Sequence, residues 1–163
     1  MQIFLDFLYK RYSIMAIWQF DFHVVPNDFL NVRNGDNDEY LWDHKKIDRK
    51  SIQGHEFLKV IRSDDHEIQW GDYDKTCINF SFENNYLLEI FCRLDLRELN
   101  IDLIKKIVFY FQQMGGSILY DNKIYELSGE VLKKLILSSN SYKFCAAPLD
   151  FLNGLKNNEN LLL

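Results

Sequence analysis

The chain has 163 residues, of which 47% are apolar and 15% aromatic, and a formal net charge of −5. A disordered chain is poor in such residues, so this one folds, and its length suits one domain that buries roughly 70% of its unfolded surface. The acidic balance argues against nucleic acid as a partner, because that binding is dominated by neutralisation of phosphates.

Residues 1 to 14 join an apolar stretch, interrupted by Asp6, to Lys10 and Arg11. A secretory signal places its charges first and follows its apolar run with a small-residue cleavage site, so this segment does not fit one. Met15 opens a clean strand pattern. The segment is therefore either an extension upstream of the true start or an amphipathic helix docked on the domain. No run approaches the roughly 18 apolar residues of a membrane span. The expected location is the cytoplasm.

From Ile17 to Val25 the side chains alternate, with Trp18, Phe20, Phe22 and Val24 on one side and Gln19, Asp21 and His23 on the other. Period two predicts a half-buried strand, and Pro26 ends it because proline cannot donate to a central ladder. Asn34-Gly35-Asp36-Asn37-Asp38 marks a polar loop. Tyr40, Leu41 and Trp42 form an apolar patch after it, either a strand or an anchor for the loop. The spacing of Ile52, Phe57, Leu58 and Ile61 predicts a short helix over Ser51–Arg62, although Gly54 weakens it.

Glu67–Gly71 is a predicted strand around Ile68 and Trp70. Thr76–Glu83 alternates Ile78, Phe80 and Phe82 against Asn79, Ser81 and Glu83. Asn84-Asn85 suits a positive-φ turn, and Tyr86–Arg97 alternates again, with Tyr86, Leu88, Ile90, Cys92, Leu94 and Leu96 toward the core. The pair is a β-hairpin. Asn100 caps a helix whose buried face carries Ile101, Ile104, Val108 and Phe111, and Gly115-Gly116 stops it. Short strands follow at Ser117–Tyr120 and Lys123–Tyr125, around Asp121-Asn122. Ser128 caps a further helix through Val131, Leu132, Leu135 and Ile136. Tyr142–Leu152 is expected to pack back as a strand or turn. The domain thus spans residues 15–152, with a frayed polar tail over 153–163. Mixed strands and helices around a central hairpin predict an α+β fold, an antiparallel sheet with helices on one face.

Motifs for chemistry are sparse. No glycine-rich phosphate fingerprint, Walker-type loop, paired-histidine zinc helix or Cys-x-x-Cys occurs in the sequence. Cys77, Cys92 and Cys145 are odd in number and widely spaced. They give no disulfide framework and behave as reduced core thiols, although Cys77 and Cys92 lie on neighbouring predicted strands. Cys92 on the core face lacks the exposure that a nucleophile requires. His23, His44, His55 and His66 share no helical turn or strand face, so they supply no preorganised metal site. Neither catalytic residue, metal nor cofactor is expected.

Two polar groups are candidates for binding. Arg93, Asp95 and Arg97 alternate opposite the core residues, with Glu89 and Phe91 continuing their face. They form either a cross-strand charge ladder on a solvated sheet or a partner-binding face led by Phe91, Arg93 and Arg97. Residues 27–74 carry twelve acids against seven bases, which accounts for the whole net charge. Five of those acids, Asp64, Asp65, Glu67, Asp72 and Asp74, crowd around Trp70. They are either a solubilising surface or an interface that attracts a basic protein and speeds encounter with it.

The opening Met15-Ala16-Ile17-Trp18-Gln19-Phe20-Asp21-Phe22, the strand end Trp70-Gly71 and the strand Glu89 to Arg97 resemble small bacterial immunity proteins. Those are encoded beside polymorphic or contact-dependent growth inhibition toxins. The resemblance covers about residues 15–152 and lies in size, layout and strand character; the extension before Met15 departs from it. It implies a cytoplasmic, non-enzymatic protein that binds one cognate toxin domain, often covering a nuclease active site with acidic groups. It carries over no catalytic residue. The alternatives are a general protein-interaction or adaptor domain and a small-ligand-binding module.

Overall fold

The computed structural model describes residues 16–29, 41–52, 57–150 and 152. The expectations for residues 1–15, for the loop over 30–40 and for the tail over 153–163 lie outside that range. The strands are β1 (Gln19–Pro26), β2 (Val60–Ser63), β3 (Glu67–Gly71), β4 (Cys77–Glu83), β5 (Tyr86–Asp95), β6 (Gly116–Tyr120) and β7 (Lys123–Tyr125). The helices are α1 (Ile101–Gln113), α2 (Gly129–Ser138) and α3 (Asn140–Ala146). The fold is α+β, with one antiparallel sheet in the order β2-β3-β4-β5-β1-β6-β7.

The β4–β5 hairpin forms where the sequence places it. Asn84 and Asn85 both take positive φ, 48° and 67°, the conformation of a two-residue turn whose twist matches the flanking strands. Asp121 and Asn122 repeat the arrangement between β6 and β7, with φ of 47° and 61°.

One detail of β5 differs from expectation. Ser81 pairs with Glu89 but Phe82 pairs with Leu87, so Leu88 is an extra residue in the ladder. A bulge of this kind reverses which side chains face inward beyond it. Leu87 therefore joins the core, while Tyr86 is 40% exposed and Leu88 is buried outside the main cluster. Ile90, Cys92 and Leu94 face the core as expected.

β5 and β6 both run antiparallel to β1 and flank it, so they are parallel to each other. Parallel strands need a crossover, and α1 supplies it. Asn100 caps α1 by accepting from the Leu103 amide at 2.8 Å. The helix buries Ile107, Val108 and Phe111 against the sheet and leaves Ile101, expected on that face, exposed in the first turn. Gly115 ends the helix at φ +72°. A Cβ on Gly116 would stand 2.6 Å from Val24 Cγ1, so only glycine lets β6 approach β1 at this point.

Ser128 caps α2 by accepting from the Val131 amide at 3.2 Å, and Leu132, Leu135 and Ile136 complete the core. Ser139 Oγ then accepts from the Tyr142 amide at 3.1 Å and starts α3, where a strand or turn was expected. Leu41 and Trp42 anchor the preceding loop: Trp42 Nε1 donates to the Val24 carbonyl at 2.7 Å, and both side chains are buried. Trp18, expected in the core, precedes β1 and lies half-buried beneath Arg97, its ring centroid 4.3 Å from the guanidinium carbon.

The predicted helix over Ser51–Arg62 is not found. A single 3-10 turn covers Arg49–Ser51, residues 53–56 fall outside the described range, and Val60–Ser63 is a strand. All four residues of β2 are exposed, Ile61 at 55%. Its apolar spacing mimicked a helix, whereas pairing with β3, a tertiary contact, decides the conformation.

Candidate functional site

The crowded acids divide between the two ends of β3. Asp64, Asp65 and Glu67 belong to the β2–β3 turn, and Asp72 and Asp74 to the β3–β4 turn. At about 3.3 Å per residue, the five residues of β3 hold the two groups roughly 16 Å apart. Both groups border the same end of the sheet, beside β2.

Within the first group the charges are unequal. Asp64 Oδ1 accepts from the amides of His66 and Glu67, both at 3.0 Å, which closes the turn. Arg62 pairs with Asp64 at 2.5 Å and with Glu67 at 3.1 Å. The backbone donation from His66, with Arg62 beside it, holds the Asp64 carboxyl below its usual range. Asp65, Asp72 and Asp74 are exposed and make no ion pair among the described residues. Their charge is the part left available to a partner.

Trp70 does not stand with them. Its side chain alternates to the opposite face and is fully buried, its ring 4.7 Å from Phe80 and 5.2 Å from Tyr110. It holds the edge of the sheet to the core and is not an exposed anchor.

The second candidate face is also buried. Phe91 is 2% exposed and the Arg93 side chain 1%. Arg93 lies opposite Asp21 on β1 and grips it bidentately, Nε to Oδ1 at 2.9 Å and Nη2 to Oδ2 at 2.8 Å. Its Nη1 donates to the Tyr73 carbonyl at 3.3 Å, and the guanidinium lies 4.5 Å from the centre of the Tyr73 ring. Burial opposes the charge on Arg93, yet the bonded Asp21 carboxylate outweighs it and raises the guanidinium pKa. The cross-strand ladder is present, but it is not solvated.

Asp95, fully buried, accepts from Arg97 Nε at 2.9 Å and Nη2 at 2.6 Å, and from the Arg97 amide at 3.0 Å. Only Arg97 of this trio reaches the surface. Farther along the same face, His23 Nδ1 lies 3.1 Å from Glu89 Oε1, and the Asn79 side chain is buried beside Phe91.

Asp21, Tyr73, Asn79 and Glu89 were not singled out from the sequence. The one signal for Asp21 and Arg93 was opposite charge on the polar sides of two predicted strands, and it became meaningful only with the β1–β5 register.

The remaining titratable groups are placed plainly. His44 is 3.2 Å from Asp28, which also pairs with Lys45 at 2.7 Å. His66 is exposed in the β2–β3 turn, and His55 lies outside the described residues. Among the described residues no three His, Cys, Asp or Glu side chains gather as a metal-binding group. Burial pushes the Cys77 thiol up to about 12 and the Cys92 thiol higher still, which suppresses both thiolates. No described helix is long and apolar enough to cross a membrane.

No protein-family model matches the chain, and neither a curated protein nor a solved structure matches it.

Proposed function

We propose that this protein is a non-catalytic immunity protein that acts in the cytoplasm, binding a cognate toxin domain through the acidic rim of its sheet. The toxin surface it meets is basic, as a nuclease active site is. The supporting observation is the position of Asp65, Asp72 and Asp74, exposed and without ion pairs on both turns that border β2. Exposed carboxylates of one sign accelerate encounter with a basic protein and fix its orientation. Arg62, Asp64 and Glu67 instead hold the turn in shape. Trp70 supports the rim from within, and Phe91 and Arg93 belong to the framework.

The test is co-expression with the product of the adjacent upstream gene, followed by pull-down and binding kinetics. Reversing Asp65, Asp72 and Asp74 to Lys should leave the circular dichroism spectrum unchanged. It should slow association by about tenfold or more at low salt, with less effect at high salt. Unchanged kinetics in the triple variant would rule out the acidic rim as the interface. Failure of any such toxin to bind would return the chain to the class of general interaction domains.

A further inference from the structure

We propose that the partner joins the sheet itself, laying a basic extended strand against the open edge of β2. The proposal rests on the binding reading above and deepens it by naming the mode of recognition.

β2 is the last strand of the sheet, and among the described residues its ladder is made with β3 alone. The Asp64 amide donates to the Glu67 carbonyl at 2.9 Å, and the Glu67 amide donates back to the Asp64 carbonyl at 3.4 Å. In an antiparallel pair such doubly bonded positions alternate with positions whose N–H and C=O point the other way. Ser63 therefore turns its N–H and C=O to the open side. The apolar side chains along this edge are unshielded too, Val60 at 39% and Ile61 at 55% exposure.

Sheet edges are usually blunted by a charge, a bulge, a proline or a cover. β2 contains no proline, and its register shifts at Ile61. Its charge, Arg62, is drawn back onto its own hairpin by Asp64 and Glu67, so it does not guard the edge. The opposite edge, β7, offers a different surface, with Ile124 and Tyr125 half-buried and Lys123 exposed.

The charge of the segment selects the occupant. From Lys59 to Asp74 there are five acids and two bases before Lys75. A second copy of this chain would bring the same excess against itself, and like charges set opposite are repelled. A strand alternating Lys or Arg with β-branched residues meets both requirements. Its basic side chains reach Asp65, Asp72 and Asp74, and its backbone meets the groups that β2 leaves open. Main-chain bonds of this kind supply affinity, and alternate side chains supply specificity.

The probe is a synthetic peptide of about nine residues, the upper range of ordinary strands, alternating lysine and valine. It is compared with its glutamate–valine counterpart and with a lysine–valine version N-methylated at every second residue. The readout is the backbone amide spectrum of the full chain, with hydrogen exchange. The lysine peptide should shift the Ile61 to Asp64 amides and slow Ser63 exchange by about tenfold at saturation. The glutamate peptide and the N-methylated peptide should do neither. Binding that is indifferent to N-methylation would overturn edge pairing while leaving the acidic rim as a charge-guided surface. Absence of shifts over residues 60–64 at millimolar peptide would also overturn edge pairing. The pull-down judges the immunity reading separately, because a toxin that binds with other contacts leaves these amides unperturbed.

Discussion

Asp21→Ala tests whether the back of β5 is framework or free surface. The substitution leaves the Arg93 guanidinium, 1% exposed, with the Tyr73 carbonyl at 3.3 Å and the Tyr73 ring in place of two carboxylate bonds at 2.8 and 2.9 Å. A hydrogen bond to a charged group contributes about 1.5–3 kcal/mol, and stripping one partner from a buried pair costs about 3–5 kcal/mol. Against a domain stability of about 5–15 kcal/mol, that is a large fraction. Arg93→Met should cost less, about 1.5–3 kcal/mol, because the stranded Asp21 is 16% exposed and water reaches it. The double variant Asp21→Leu/Arg93→Met, which strands neither charge, should lie well above the sum of the two losses. Replacing a whole buried pair by apolar groups is often close to neutral. Urea unfolding followed by circular dichroism measures all four proteins, with an unchanged denaturant slope as the check that the unfolded state is comparable. If each single substitution costs under about 1 kcal/mol and the two add, Arg93 behaves as a solvated group. Phe91, Arg93 and Arg97 would then return as a partner face.

Trp70→Ala should destabilise by about 3–5 kcal/mol in the same assay, and Phe80→Ala by a similar amount, since both rings lie fully inside the core. Asp95→Asn should be less stable than the native chain at pH 7, by a margin that shrinks in acid. Arg97 holds the Asp95 carboxyl below its ordinary value of 3.8. Its folded pKa is thus lower than its unfolded one, so its stabilisation is complete above about 4 and disappears as pH falls through the folded value. Unfolding midpoints at pH 7 and pH 3 decide this, and an equal gap at both would refute it. In native protein at pH 8, a thiol reagent should leave Cys77 and Cys92 unmodified over the time that Cys145 reacts, and all three should react in urea. Fast native modification of Cys92 would show that β5 is not closed.

The sequence by itself determined the features whose causes are local. Asn84-Asn85 and Asp121-Asn122 take positive φ because their short polar side chains tolerate it, and both hairpins follow. Asn100 and Ser128 begin helices because their side-chain oxygens satisfy amides that the first turn leaves open. The alternation in β1, β3, β4 and most of β5 marks the core face because side chains in a strand change sides at every residue. The acidic excess of residues 64–74 was equally plain, and Asp65, Asp72 and Asp74 do lie exposed.

Tertiary structure decided the rest. β2 is a strand because β3 offers it a ladder, although the spacing of Ile52, Phe57, Leu58 and Ile61 alone suits a helix. The extra residue at Leu88 brings Leu87 inward in place of Tyr86, a change of register that no local pattern announces. Trp70 is core because Phe80 and Tyr110 close over it. Arg93 is framework because Asp21, 72 residues away in the chain, lies opposite it. Turns and caps depend on bonds within a few residues. Register, burial and ion pairing depend on which distant strand arrives alongside, and that is settled only when the sheet is assembled.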